Sequence, residues 1–136
     1  MFASLNRNLL KTVMLADGVI SLVTAFAFFT FSGPLSGLVG PVAAPAVFTG
    51  LAAFFVLWGV FHLAVGRQER PSPAAVRVAI AGDALWILGS IAVLVLAHGG
   101  LTLTGMGLIA LAAVMVGDIL LLKQIGLGRQ QRAALA

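Results

Sequence analysis

The chain has 136 residues, of which 61% are hydrophobic and only 9% are charged. A soluble domain carries roughly 25% charged residues, so this composition excludes a water-soluble domain and indicates a protein that resides in lipid. The net charge is +4, and the chain contains no cysteine, which excludes disulfides and thiolate metal sites. The length predicts one transmembrane domain over residues 1–136.

Four continuous apolar stretches predict four membrane spans, at about residues 12–32, 42–65, 74–97 and 101–123. Each is close to the roughly 20 residues that a helix needs to cross a hydrocarbon core. Backbone groups in lipid must be hydrogen-bonded within the segment, and the runs do not alternate as barrel strands do. We therefore predict an all-α polytopic membrane protein, folded as an antiparallel four-transmembrane-helix bundle.

The connections between the spans differ in character. The first, residues 32–45, is uncharged and rich in Gly and Pro, so it either runs flat along the membrane interface or dips back into the membrane. The second, residues 67–73, is polar and stiffened by Pro71 and Pro73. The third, around His98 to Gly100, is short enough to predict a tight hairpin between the last two spans, with His98 solvated.

The basic residues all fall on one side of this four-span topology. By the positive-inside rule, we expect a multi-pass membrane protein with both termini in the cytoplasm. A cleaved signal peptide ending near Ala25 to Ala27 is the alternative for the first span. We expect contact with anionic lipid headgroups rather than nucleic acid. The residues predicted to make it are Arg7, Lys11, Arg67, Arg70, Arg77, Lys123, Arg129 and Arg132.

Each predicted span also contains one ionisable residue: Asp17, His62, Asp83 and Asp118. Each lies five or six residues from a basic flank, which corresponds to about 8–9 Å along a helix. The spacing predicts that all four groups lie at one depth. Carboxylates within a membrane are costly, so they are expected to face the bundle interior.

Polar and aromatic residues accompany this predicted layer. Ser21 and Thr24 share a helical face with Asp17. Trp58 lies four residues before His62, and Trp86 three residues after Asp83. Ser90 follows Asp83 in the third span at the same spacing at which Thr24 follows Asp17 in the first. We predict that both indoles pack within the bundle and that their N–H groups donate to a carboxylate.

Three interpretations of the layer remain open at this point. It is a coupled, protonatable site for a cation or a proton-coupled substrate, with the two indoles as walls. Alternatively, it is a set of structural ion pairs, for which Asp17–Lys123 and Asp83–His62 are candidates. A site for Mn²⁺ or Zn²⁺ is the third interpretation, but no short ligand spacing supports it, so we expect neither a metal nor another cofactor.

The two halves of the chain resemble each other. Lys11, Asp17 and Thr24 have the same spacing as Arg77, Asp83 and Ser90. His62 and Asp118 each precede a basic residue by five positions, and both halves then end in Gly-Arg-Gln-x-Arg. The pattern is consistent with two repeated helical hairpins related by an axis along the membrane normal.

Three local motifs stand out: Leu15-Ala16-Asp17-Gly18 with Ser21, Ser32-Gly33-Pro34-Leu35, and Gly82-Asp83-Ala84-Leu85-Trp86-Ile87-Leu88-Gly89-Ser90. They are similar to motifs of a broad set of uncharacterised bacterial four-helix integral membrane proteins. In size and span count the chain also resembles the small multidrug resistance transporters, in which one acidic residue of the first helix carries the coupling, and Asp17 is the matching position. That family uses Glu there and relies on a tyrosine, whereas this chain has no Tyr.

The sequence contains no nucleophile motif, phosphate loop or zinc-protease motif, so an enzyme is not expected. We expect a non-enzymatic accessory or scaffold subunit of a membrane complex, with a membrane protein partner or a second copy of itself. The alternative is a proton-coupled transporter of a small molecule or cation, working as an oligomer, because four helices alone enclose little volume.

Overall fold

The structure, a computed structural model, describes residues 8–135, and within this range it is helical with no strand. The helices are α1 (Leu9–Thr30), α2 (Ser32–Val39), α3 (Pro45–Gly66), α4 (Pro73–Leu96) and α5 (Leu103–Leu135), with a 3₁₀ turn at His98–Gly100. Four of them, α1, α3, α4 and α5, are long and apolar enough to cross a membrane. The predicted all-α class is confirmed, and so is the presence of four helices long and apolar enough to cross a membrane.

Helix boundaries follow from residue chemistry at two of the predicted junctions. Pro45 and Pro73 each stand at the first position of their helix, where the missing backbone N–H costs nothing. The last helix continues to Leu135, beyond the predicted end at Lys123. It continues because the next turns still have a buried face: Gly126 and Leu127 are buried, and Gly126 lies directly against Leu10 of α1.

The uncharged connection contains a short helix, α2, that its Gly and Pro content did not predict. It ends at Gly40, whose φ of 123° is a left-handed conformation that glycine adopts readily. The backbone N–H of Thr102 donates to the Val39 carbonyl at 2.9 Å, and the Thr102 hydroxyl donates to the Leu38 carbonyl. These bonds tie the α2 segment to the α4–α5 connection, and we call this end of the molecule the uncharged end.

The opposite end holds the 67–72 connection and the start of α1, and we call it the basic end. Among the membrane helices, α1 packs most extensively on α3, and α4 packs mainly on α5. Close approach of α1 and α3 depends on glycine: a Cβ on Gly59 would lie 3.0 Å from the Gly18 carbonyl oxygen. Between α3 and α4 the space is filled by Trp58, whose ring lies directly against Gly82.

Candidate functional site: a buried charge cluster

Four side chains, one from each membrane helix, meet in the interior. The Lys123 ammonium of α5 lies 2.5 Å from Asp17 Oδ2, 2.6 Å from Asp83 Oδ2 and 2.9 Å from His62 Nε2. Lys123 and His62 are completely buried, and the two aspartates are buried as well. We call these four residues the charge cluster.

The direction of side chains on a helix explains why Lys123 reaches the interior. Cα–Cβ bonds tilt toward the N-terminus of a helix, and α5 begins at the uncharged end. The long side chain of Lys123 therefore extends away from the basic end, into the space between the four helices. Its three N–H donors match three acceptors at hydrogen-bonding distance.

Hydrogen bonds within the helices fix the other members of the cluster. His62 Nδ1 lies 2.8 Å from the Trp58 carbonyl oxygen, so Nδ1 carries the hydrogen and donates it. His62 Nε2 is then turned toward Lys123 and lies 3.0 Å from Asp17 Oδ2. The Ser21 hydroxyl donates to Asp17 Oδ1 at 3.5 Å, one turn along α1. The ring of Trp58 packs edge-on against His62, with centroids 4.8 Å apart.

The charges of the cluster do not balance without one additional proton. One ammonium faces two carboxylates, and an uncompensated charge in a low-dielectric interior is costly. One proton on either His62 or a carboxyl group makes the cluster neutral. With the proton on a carboxyl group, His62 Nε2 keeps its lone pair for the bond from Lys123; with the proton on Nε2, that bond is lost and Nε2 donates to Asp17 Oδ2, 3.0 Å away. Chemically, the cluster can therefore hold the helices together by ion pairs and hold one exchangeable proton.

Apolar packing separates the cluster from the basic end. The apolar residues that form this packing, which we call the apolar seal, come from all four membrane helices. In its own helix, each of them lies between the charge-cluster residue and the basic end. Burial of Met14 and Val76 is complete. This seal hinders water and ions from approaching the cluster from that end. The seal consists of Leu10, Met14, Val65, Val76, Ala79 and Leu127.

Toward the uncharged end, a cavity of about 720 Å³ opens beyond the cluster. Its walls come from α1, α3, α4 and α5, and its lining also includes Val39, the last residue of α2, and Val42. Polar groups in the lining are confined to Thr24, Trp86 and Ser90. Ser21 and Thr24 follow Asp17 along one face of α1; the Ser21 hydroxyl bonds to Asp17, and Thr24 lines the cavity.

The two tryptophans are placed differently from each other. Trp58 contacts His62, as its spacing predicts. Trp86 lies edge-on against Phe55 and lines the cavity, and its buried Nε1 has no hydrogen-bond partner in the described part of the chain. The prediction that this N–H donates to a carboxylate is wrong, because Trp86 lies almost one turn beyond Asp83 on the cavity side. The Ser90 hydroxyl donates to the backbone carbonyl of Trp86 at 2.8 Å, within the same helix.

A metal ion does not fit the cluster as it stands. Ligand atoms of Asp17, His62 and Asp83 all lie within 4.8 Å of one another, a spacing that suits a divalent cation. However, the Lys123 ammonium lies within hydrogen-bonding distance of all three, so the central position is already taken by a cation. Binding of a metal there would require Lys123 to withdraw.

Three further predicted assignments are corrected by the structure. Lys123 does not contact lipid headgroups, because its side chain is fully buried among the charge cluster. Asp118 does not join the layer: it is exposed on α5, since it lies on a different face of the helix from Lys123. Of the two predicted pairs, Asp17–Lys123 is formed, whereas Asp83 binds Lys123 rather than His62.

The remaining basic residues lie at or near the basic end, as predicted, except that Arg7 is outside the described residues. Lys11, Arg70 and Arg129 line a cavity of about 490 Å³ there, together with Glu69. This places three cationic groups around one recess. Their contact with anionic lipid stays a prediction.

Comparison of the chain with protein-family models, with curated proteins and with solved structures gave no match.

Proposed function

We propose that the protein is a non-enzymatic subunit of a larger complex in the bacterial cytoplasmic membrane, where it acts as an accessory or scaffold component. In this proposal the four membrane helices form an antiparallel bundle with both termini in the cytoplasm. The observation that carries the proposal is the exposed carboxylate of Asp118, which lies within the apolar length of α5. A membrane helix with an uncompensated acid on its outer face is suited to binding another protein.

The charge cluster supports this proposal because its groups are paired with one another inside the protein. Its four groups satisfy one another, and the apolar seal separates them from the basic end. Such a cluster acts as a structural lock, because an alternative packing of the helices would leave buried charges unpaired. The lock would give partner proteins a rigid outer surface.

The exposed surface of α5 fits the same role. This helix is the least buried of the four membrane helices, and α1 is the most buried. Large apolar side chains beside Asp118 are exposed, including Val114, Leu121 and Leu122. A partner helix would cover this surface.

The test is to measure the size of the native assembly in mild detergent. The measurement is made for the wild type, for a variant of the exposed Asp118 and for variants of the charge cluster. We expect the protein to migrate with a complex larger than its own 14.0 kDa. Asp118→Asn should release it from that complex without unfolding it. Asp17→Asn and Asp83→Asn should lower its stability. A native protein that migrates alone, or only with copies of itself, contradicts the proposal.

Proton-coupled transport of a small apolar or cationic molecule, by an oligomer, is the second candidate. It is favoured by two hydroxyl groups on the same face of α1 as Asp17: that of Ser21, which bonds to Asp17, and that of Thr24, which lines the 720 Å³ cavity. Asp17 and Asp83 would carry the proton and the substrate, and His62 would tune them. In liposomes with an imposed pH gradient, Asp17→Asn should then abolish proton-dependent uptake while the fold stays intact. Loss of stability without any wild-type uptake favours the scaffold instead.

A further inference from the structure

Asp118 is the one acidic residue of the membrane helices that lies outside the charge cluster. It is exposed, and within residues 8–135 it has neither a hydrogen bond nor an ion pair. Gly117, its neighbour, lies against Ile87 of α4, where the nearest side-chain atom would be 3.9 Å from a Cβ. Asp118 is therefore at the depth of the middle of α4 rather than at its basic end.

The side chain cannot easily reach water. The side chains of α5 tilt toward its N-terminus at the uncharged end, so the short carboxylate of Asp118 points toward the middle of the membrane. Lysine and arginine snorkel through a long stem, but aspartate has only one methylene. A lipid-facing carboxylate at this position therefore carries a desolvation cost that a partner group would relieve.

Within residues 8–135, a second copy of this chain places no cationic side chain other than that of Lys123 near the depth of Asp118. Lys123 has all three of its N–H donors occupied within the cluster. Arg77 is the arginine of α4. It precedes Ile87, the residue that marks the depth of Asp118, by ten residues, which is roughly 15 Å along the helix. Two copies packed through this face in the same orientation would also bring like charges together.

We infer that Asp118 and the exposed face of α5 form a docking site for a transmembrane helix of a different protein, one that presents a lysine or arginine within the membrane. The inference rests on the proposed function and names the chemistry of the partner. Asp118 supplies the charge recognition, and the apolar side chains around it supply the packing surface. An acid–base pair in lipid gives both affinity and a fixed register along the helix.

The probe for this site is a synthetic poly-leucine transmembrane peptide of about 20 residues. One version carries a single lysine at the depth of Asp118, and its matched control carries leucine there. Energy transfer between labelled peptide and labelled protein in lipid vesicles reports association. We expect the lysine peptide to bind wild-type protein about tenfold more tightly than the leucine peptide.

Two variants test whether the carboxylate itself is recognised. Asp118→Asn should bind both peptides equally. The double variant Asp118→Leu/Val114→Asp moves the carboxylate one turn toward the uncharged end, on the same exposed face. It should prefer a peptide whose lysine is shifted by four residues. Circular dichroism verifies that each variant is folded.

Three outcomes would overturn the inference. They are equal binding of both peptides by the wild type, a preference that survives in Asp118→Asn, and a homodimer that Asp118→Asn disrupts, which would make a second copy the occupant. The peptide assay does not use the native complex. Its result is therefore separate from the test of the accessory role.

Discussion

Lys123 and Asp17 are separated by 106 residues in the chain, yet the lysine ammonium lies 2.5 Å from the aspartate carboxylate. The first and last membrane helices are thus joined by one ion pair, which Asp83 and His62 extend to the other two helices. The cluster is complete only when all four helices are in place. This arrangement makes Lys123 the residue on which the internal charge balance depends.

Replacing Lys123 should therefore destabilise the fold strongly. Lys123→Met leaves two buried carboxylates without their cation, and breaking a buried ion pair on one side costs about 3–5 kcal/mol. Unfolding in SDS, followed by circular dichroism, measures the loss. The control is Lys11→Met, at the basic end, which should change the unfolding free energy by less than about 0.5 kcal/mol.

The compensating variant Lys123→Met/Asp17→Asn/Asp83→Asn removes both unpaired charges together with the lysine. It should recover a large part of the lost stability, because replacing all partners of a buried charge network is far less costly than removing one. A triple variant as unstable as Lys123→Met would show that packing of the lysine stem, and not charge balance, holds the helices together.

The depth of the ionisable residues could be predicted from the sequence, because distance along a helix follows directly from residue number. Asp17, His62 and Asp83 do meet in one layer. The role of Lys123 was missed, since a lysine at the end of an apolar stretch resembles an ordinary basic flank. Its tilt toward the helix N-terminus was the signal that could have placed it inside.

The inward face of each helix was not predictable in the same way. Membrane helices are apolar on all sides, so no hydrophobic stripe marks the interior. This is why Asp118 was assigned to the layer and is instead exposed. His62 and Asp118 occupy matching places in the two halves of the sequence, but only His62 is buried. The sequence similarity of the halves does not extend to their burial.

The contact between α1 and α3 should be sensitive to one glycine. A side chain on Gly59 would meet Leu22 at 2.9 Å and the Gly18 backbone oxygen at 3.0 Å. Gly59→Val should therefore destabilise the protein by about 1–3 kcal/mol, as overpacking does. Gly50→Val is the matched control on the same helix, because a Cβ there meets nothing within 4 Å. Equal unfolding free energies for the two variants would contradict the close approach of α1 and α3.

The 720 Å³ cavity should admit lipid acyl chains when the protein is in a membrane. The chain has two tryptophans, and Trp86 lines the cavity, so Trp58→Phe leaves a single fluorescent reporter of its contents. Lipids brominated near the middle of the acyl chain should quench this reporter. Gly89→Leu should reduce the quenching, since Gly89 lines the cavity and a Cβ there meets nothing within 4 Å.

Gly50→Leu provides the comparison for that experiment, because Gly50 is also free of neighbours but is not part of the cavity lining. It should leave the quenching unchanged. If brominated lipids quench the fluorescence of Trp86 to the same extent in Gly89→Leu and Gly50→Leu, acyl chains do not enter the cavity.

Asp118→Leu should separate membrane insertion from folding. Asp118 is exposed in the folded protein and has no partner within residues 8–135, so its replacement should alter the unfolding free energy in micelles by less than about 0.5 kcal/mol. Insertion of α5 should improve, by up to about 3 kcal/mol on insertion scales, because a carboxylate is removed from lipid. Asp83→Leu removes a carboxylate of the same kind from another helix but should lower the unfolding free energy by about 3–5 kcal/mol, since it breaks a buried pair with Lys123. If Asp118→Leu lowers the unfolding free energy of the isolated protein as much as Asp83→Leu does, Asp118 has a role inside the fold. That result would contradict a docking site on the exposed face of α5.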